Sequence, residues 1–484
     1  MKHAIIILAH KDIPLLCKII QYFDRECDIF VHIDKKAKII DTDLKKISEL
    51  KNIKKISRKY SIHWGGFSIL KAELYLLNLV LRTSDANYIH LISGQDYPVK
   101  PLHEFLDFFQ NANEKNYLSV QKMSFKEVTN RLLYFQPYDW VERNTHGRNF
   151  IKKIVRFQKK MKLQRGACDL FATMYHGSQW FSITRATTNF ILNYTKEHPT
   201  FYKRMKFTFA PEECYINTLL MHFKSNECVD SNFRYIRWMY ENGNNPANLT
   251  INHLGEIIES GAFFARKMEH PYCDILISAI DKYLLKKEDY SEILCTGAWT
   301  CRSLNKYSID EALALAIAKF YTWAELQSAL DMGCGCGLYV DFLRRYHVAI
   351  SGYDGNPNTQ ELSSLILGSE MPCDVADLTE EIACEDDIPF DLVMCLDVLP
   401  YIPKEYEETA VDNLVKLCGK FLIIHWADNG GDSSCYANLR PANYIVDVFA
   451  QRGLKLNTFT TNFLREKAEN EVFKKSLFVF EKHT

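Results

Sequence analysis

Apolar runs short enough for buried strands alternate with segments of helical period along the first half of the chain. Residues 4–8, 29–33 and 88–92 are dominated by Ile, Leu, Val and Phe and are bounded by polar turns, the pattern of strands covered on both faces. Residues 67–81 carry leucines at helical spacing and predict a packed helix. Strand alternating with helix predicts an α/β domain with a mainly parallel sheet. Ligands of such sheets gather at the carboxyl ends of the strands, which draws attention to His10, Asp34 and the stretch from Ser93 to Asp96.

The pattern loosens over residues 270–300, where Lys286-Lys287-Glu288-Asp289 interrupts it. This predicts a first domain over 1–288 and a second over 289–484. A helix over 309–321 then leads into a strand over 328–332, and further strands at 348–353, 392–395 and 421–425 follow with helices between them. The second domain is therefore also doubly wound. Neither an internal repeat nor a low-complexity segment interrupts this order.

Composition narrows the class. A chain of 484 residues exceeds what one hydrophobic core usually supports, and 47% hydrophobic with 25% charged residues is ordinary for a globular protein. A net charge of −1 argues against nucleic acid as a partner, and no apolar run approaches a membrane span. The start, Met-Lys-His-Ala-Ile-Ile-Ile-Leu-Ala-His, runs into His10-Lys11-Asp12-Ile13-Pro14 without a small-residue cleavage site, so it reads as a first strand rather than a leader. The 15 cysteines are odd in number and scattered, without zinc spacing. Free thiols in a reducing compartment, hence the cytoplasm, are expected. Residues 151–165 form a basic stretch without an acid. It reads as a solvated helix face, or as a patch for an anionic acceptor or a membrane surface.

Leu330-Asp331-Met332-Gly333-Cys334-Gly335-Cys336-Gly337 is a strand end running into a triple-glycine loop. Its spacing is tighter than the Gly-x-Gly-x-x-Gly of a dinucleotide fold. Asp354 ends the next strand, where a carboxylate can accept ribose hydroxyls. Cys373-Asp374-Val375-Ala376-Asp377-Leu378 gives an acidic turn, and the run from Phe390 to Leu399 gives a fourth strand and its exit. From about residue 292 onward the chain resembles the class I S-adenosylmethionine-dependent methyltransferases, and the alternation after Leu454 resembles that family's closing antiparallel strands. The resemblance implies a Rossmann-like fold and S-adenosylmethionine as cofactor. It implies a cradle made by Gly333, Gly335 and Gly337, with Asp331 at the amino group, Asp354 at the ribose, Asp377 at the adenine, and Leu378 and Leu396 beside them. Relatives often read Val-Leu-Glu-His-Ile-Pro where this chain has Val398-Leu399-Pro400-Tyr401-Ile402-Pro403. The methyl acceptor and its base stay open, and His425 is either that base or a structural histidine beside Trp426.

Upstream, several strings occur in fixed order: Val31-His32-Ile33-Asp34-Lys35, Trp64-Gly65-Gly66, Ser93-Gly94-Gln95-Asp96-Tyr97-Pro98, Gly177-Ser178-Gln179-Trp180-Phe181, Pro211-Glu212-Glu213 and Phe264-Ala265-Arg266-Lys267. Aromatic rings beside hydrogen-bonding groups suit a sugar, and an Arg-Lys pair suits a diphosphate. Each alone could be structural: Gly65-Gly66 a turn, Trp180 a core anchor, Arg266 a surface ion pair. Together they resemble the core-2/I-branching N-acetylglucosaminyltransferase and peptide O-xylosyltransferase family over roughly residues 1–285. The resemblance implies a GT-A-type fold, a UDP-sugar donor and inversion at the anomeric carbon. It places His10 and Asp34 by the uridine, Gln95 and Asp96 by the sugars, and Ser178, Gln179, Trp180 and Glu212 at the sugar or acceptor. Glu213 would be the base, with Glu212 its neighbouring alternative. Lys267 matches the family's phosphate-binding lysine, and Arg266 stands in for an upstream arginine not found in 244–252. Asp34 is followed by Lys36 where a metal-binding Asp-x-Asp would need an acid, so transfer without a metal is expected.

The expected enzyme is bifunctional and belongs to bacterial surface or capsular polysaccharide synthesis. It would transfer a sugar, with N-acetylglucosamine or xylose favoured, to a glycan acceptor and then methylate that glycan. The alternative is an active glycosyltransferase with a methyltransferase-like binding module. A lipid-linked acceptor and a peripheral contact at the inner membrane face are left open, as is the oligomeric state.

Overall fold

β1 (His3–Ala9) is covered along almost its whole length, so it belongs inside a sheet and not at its edge. In a computed structural model, which describes all residues except 24–25, 142–144, 167–169, 286–292, 383–388, 428–435 and 483–484, it pairs in parallel with β2 (Cys27–Ile33) and β4 (Tyr88–Ser93). β3 (Ile53–Ser57) extends the parallel part beyond β2. The described sheet runs β3-β2-β1-β4-β7-β6-β8, with β6 at Asn116–Lys122, β7 at Tyr175–Thr184 and β8 at Cys228–Asp230. β7 is antiparallel to both its neighbours. The sheet is mainly parallel, as expected, with β7 its one antiparallel member among the described strands. Strand-helix alternation reports direction only where a short crossover joins neighbours. The long connection from β6 to β7, with helices Phe125–Leu132 and Thr145–Lys160, carries no such information.

A smaller sheet, β5 (Tyr97–Pro98), β10 (Phe264–Arg266) and β9 (Arg234–Ile236), attaches to the loop after β4. Met268 N donates to Gln95 O at 3.0 Å and fastens the exit of β10 to that loop. The helix Phe67–Thr83, expected over 67–81, lays its leucines into the core under β1 and β4.

The chain divides into two compact units, Met1–Ala247 with Ala262–Glu269, and Asn248–Gly261 with His270–Thr484. Residue 288 lies outside the described residues. The last junction between the units is 269/270, and β10 makes the first unit discontinuous by returning residues 262–269 to it.

The sheet of the second unit runs β13-β12-β11-β14-β15-β17-β16. Its strands are β11 (Ala329–Met332), β12 (Ile350–Asp354), β13 (Asp374–Val375), β14 (Phe390–Cys395), β15 (Cys418–His425), β16 (Leu454–Leu456) and β17 (Leu477–Lys482). All pairs are parallel except those made by β17, so the expected closing antiparallel strands are present. The preceding helix starts at Glu311 and not at 309, because Asp310 caps it by accepting from Leu313 N at 2.9 Å. Every described cysteine is a free thiol. No helix among the described residues is long and apolar enough to cross a membrane.

Candidate active sites

The first unit gathers acids where the helix Phe67–Thr83, β7 and the turn Pro211–Glu213 meet. Arg131 donates from Nη1 to Glu213 Oε2 at 2.6 Å and lies over the Phe209 ring at 5.5 Å. Glu213 keeps 34% of its side chain exposed. Glu212 and Glu73 are buried, and the Oε2 of each finds no hydrogen-bond partner among the described residues. Burial lifts Glu73 up to about 8 in spite of the bond its Oε1 accepts from Gln179 Nε2 at 2.6 Å. Burial, then the charges of Glu213 and Glu73, pushes Glu212 well above the carboxylate range. Glu213 is thus the acid of this trio that has both a cation on it and a solvent-facing side.

The buried acid has a measurable signature. With a folded pKa raised to about 8, Glu73 supports the fold fully below its unfolded value and withdraws that support as pH rises through about 8. Glu73→Gln should therefore raise the melting temperature at pH 8 and change it little at pH 4. Equal shifts at both pH values would reject a neutral buried acid.

At the carboxyl ends of β1 and β2, Asp34 Oδ1 accepts from Lys36 N and Ile62 N, both at 3.0 Å. His10 is exposed at its edge. Packing around its ring, then the charges of Lys11 and Lys267, lowers its pKa. Lys11 Nζ contacts Glu269 Oε1 at 2.5 Å, and Lys267 Nζ lies 3.9 Å from Glu269 Oε2. One carboxylate therefore sits among the cations of this edge. Gln95 Nε2 donates to the same carboxylate at 2.8 Å and to Met268 O at 3.0 Å.

The second unit has a cavity of about 220 Å³ at the carboxyl ends of β11, β12 and β14. Its floor is the glycine loop, where Gly333, Gly335 and Gly337 hold φ of 88°, 58° and 85°, a region that favours glycine. A Cβ on Gly333 would fall 2.0 Å from Val398 Cγ2, and one on Gly335 2.5 Å from the Tyr307 ring. Gly335 N donates to Asp354 Oδ2 at 2.8 Å, and Asn356 N to Asp354 Oδ1 at 2.7 Å. Asp331 is buried in the wall, where burial and then the Asp354 charge raise it to about 7. Such an acid fits a cationic ligand group, which would restore its charge. Asp377 accepts from Thr379 N at 2.9 Å and so is held beside Gly355. Leu378, Leu396, Trp299, Tyr401 and Asp397 are among the other residues of the lining.

Residues 4–258 match the Core-2/I-Branching enzyme family. The chain belongs to that family. Its first unit is accordingly a glycosyltransferase domain, and the strand order makes its second a Rossmann-like α/β domain. The family match ends before β10, so Lys267 lies beyond it. No curated protein matches the chain. Solved structures overlapping part of it include the sugar N-methyltransferase KedS8 from Streptoalloteichus, at 16% identity over 36% of this chain and 87% of that one, TM-score 0.29. DesVI from Streptomyces venezuelae overlaps at 14% identity, 36% and 92% coverage, TM-score 0.29. Magnesium protoporphyrin IX methyltransferase from Synechocystis, with bound S-adenosylmethionine, overlaps at 15%, 36% and 79%, TM-score 0.27. The strand order, not these overlaps, carries the fold of the second unit.

Several sequence-predicted residues of this Core-2/I-Branching domain are held by contacts within the fold. Asp96 has no exposed surface and accepts from Ser93 N at 2.7 Å and Ser93 Oγ at 2.9 Å. It shapes the loop, and Gln95 ties that loop to β10. Arg266 Nε lies 3.3 Å from Asp96 Oδ1, an ionic contact without hydrogen-bond geometry, and the guanidinium stacks on Trp180 at 4.3 Å. Its charge is matched inside the fold, so Arg266 and Trp180 form a buried stack. Ser178 Oγ accepts from Trp180 N at 3.2 Å, and Gln179 is held by Glu73. Gly65 holds a φ of 72°, which bears out a turn there.

In the second unit His425 is fully buried, 3.4 Å from Asp397 and outside the cavity lining. The acid and not the imidazole faces the cavity. Arg131, Glu73, Lys11, Glu269 and Asp397 were not legible as site residues. Glu73 had a signal, as a lone acid in an apolar stripe. Lys11 had another, as the neighbour of His10. Trp299 and Tyr307, which cover the cavity from before β11, had none.

Proposed function

We propose that the chain transfers a sugar from a UDP-sugar to a glycan hydroxyl with inversion, and methylates the same glycan in its second unit. The observation that carries the reading is the half-exposed Glu213, held by Arg131 at 2.6 Å beside the acids Glu212 and Glu73. Inversion needs a base on the face opposite the departing diphosphate. Glu213 would take the acceptor's proton as that oxygen attacks C1. The bond from C1 to the diphosphate breaks, and Lys267 and Lys11 meet the charge that leaves. Glu269 holds those lysines until the phosphates replace it. Transfer without a metal follows from this cationic edge and from Lys36 in the Asp34-x-Lys36 string. N-acetylglucosamine and xylose are the favoured sugars, and a bacterial surface polysaccharide made on the cytoplasmic side is the favoured setting.

The cavity of the second unit fits S-adenosylmethionine: glycines whose Cβ positions are filled form the cradle, and a buried acid waits for a cation. When bound, that cofactor supplies an electrophilic methyl group. Asp331 would hold its amino group, and Asp354 and Asp377 would orient ribose and adenine. Asp397 lines the cavity, and it would take the proton of an incoming hydroxyl.

Calorimetry on the purified chain, with chelator and without added metal, tests both halves. UDP and S-adenosylhomocysteine should each bind saturably, and the preferred UDP-sugar identifies the donor. UDP binding alone would make the second unit a binding module. Binding of the homocysteine compound alone would sink the donor assignment.

A further inference from the structure

The helix Thr145–Lys160 buries a narrow stripe, Gly147, Ile151 and Gln158, with Ile154 and Val155 half-buried beside it. The rest of its described surface faces solvent and carries Arg148, Lys152, Lys153, Arg156, Lys159 and Lys160 without one acid. Cations alone on a helix are ordinarily a solvated face. Here a second stripe stands among them. Phe150 and Phe157 lie about two turns apart on the same line as Met161, and they are 49%, 60% and 55% exposed. Leu163 beyond the helix and Trp140 before it are exposed as well. Large apolar side chains flanked by lysine and arginine are what a helix lying in a bilayer interface requires. A soluble polyanion would need the cations and have no use for the phenylalanines.

The helix is also joined to the transfer site. Arg148 lies 5.8 Å from the Trp64 ring, Trp64 packs on Phe209 at 5.6 Å, and Phe209 carries Arg131, which holds Glu213. A continuous run of side chains therefore leads from the basic surface to the proposed base.

We propose that this helix docks the first unit on an anionic bilayer surface. Phe150, Phe157 and Met161 enter the headgroup boundary, and the surrounding cations meet lipid phosphates. A lipid-anchored acceptor then reaches Glu213 without leaving the membrane, a step that rests on the glycosyl-transfer reading, whereas the docking does not.

The test is co-sedimentation of the full chain with vesicles of phosphatidylcholine alone, or with roughly a third phosphatidylglycerol. Binding is expected only to the anionic vesicles, and it should weaken with salt. Lys152→Gln with Lys153→Gln should weaken it about fivefold per cation removed. Phe150→Ser with Phe157→Ser, which keeps every charge, should remove most of the rest. UDP binding by calorimetry in the Phe variant should match the parent and certifies its fold. No binding to anionic vesicles, or binding that the Phe pair leaves unchanged, overturns the proposal; the latter would mark a surface for a soluble polyanion. Vesicle binding without any UDP binding would sink the donor reading and leave the docking intact.

Discussion

Glu213→Gln should lower sugar transfer by about 10²–10⁴-fold, the range a positioned general base supplies, while UDP binds as in the parent. Glutamine keeps the shape and the contact to Arg131 but cannot take the acceptor's proton. The partner experiment uses Glu212→Gln. Burial already pushes that acid toward its neutral form, so an uncharged amide of nearly the same size should cost far less. Turnover and UDP affinity measured on both variants separate the acids. Equal losses would mean that the turn acts as a unit, and full activity in Glu213→Gln would remove it from the chemistry.

Gly335→Arg should abolish saturable binding of S-adenosylhomocysteine and leave UDP binding and sugar transfer in place. At φ 58°, with the Tyr307 ring 2.5 Å from a would-be Cβ, any side chain must displace the ring or fill the cavity. An arginine does both. It also brings a cation to the wall where Asp331 is to receive one, so the loss should exceed that from bulk alone. A circular-dichroism melt of the variant distinguishes a blocked cavity from an unfolded unit. Sugar transfer that disappears along with methyl-donor binding would show that the units are coupled.

How far the sequence exposed these sites depends on the range of the forces that built them. β1, β2 and β4 were visible because a strand buried on both faces is mostly apolar, even with His3, Asp28, His32 and His90 buried among them. The glycine loop was visible because its backbone angles exclude most other residues. Glu213 was visible because its neighbours in the chain carry its context. The direction of β7 was hidden, since nothing in a strand's own residues states which way it enters a sheet. Arg131 was hidden because it reaches Glu213 across 82 positions. The surroundings of Asp96 and Arg266 were hidden for the same reason. Both have functional chemistry, and only the fold shows that each is consumed by the other and by Ser93 or Trp180. Residue type announced what they could do, and packing decided what they are left to do.

The return of residues 262–269 to the first unit has a consequence for inheritance. Lys267 is not carried by the contiguous stretch that the family match covers. It follows a strand, β10, reached only after the chain has contributed residues 248–261 to the other unit. A single crossover in the gene that exchanged the second unit at either junction would deprive the transferase of β10, or leave it a fragment of its former neighbour. The two units can be passed on together, or parted by a double exchange, but no single breakpoint separates them cleanly.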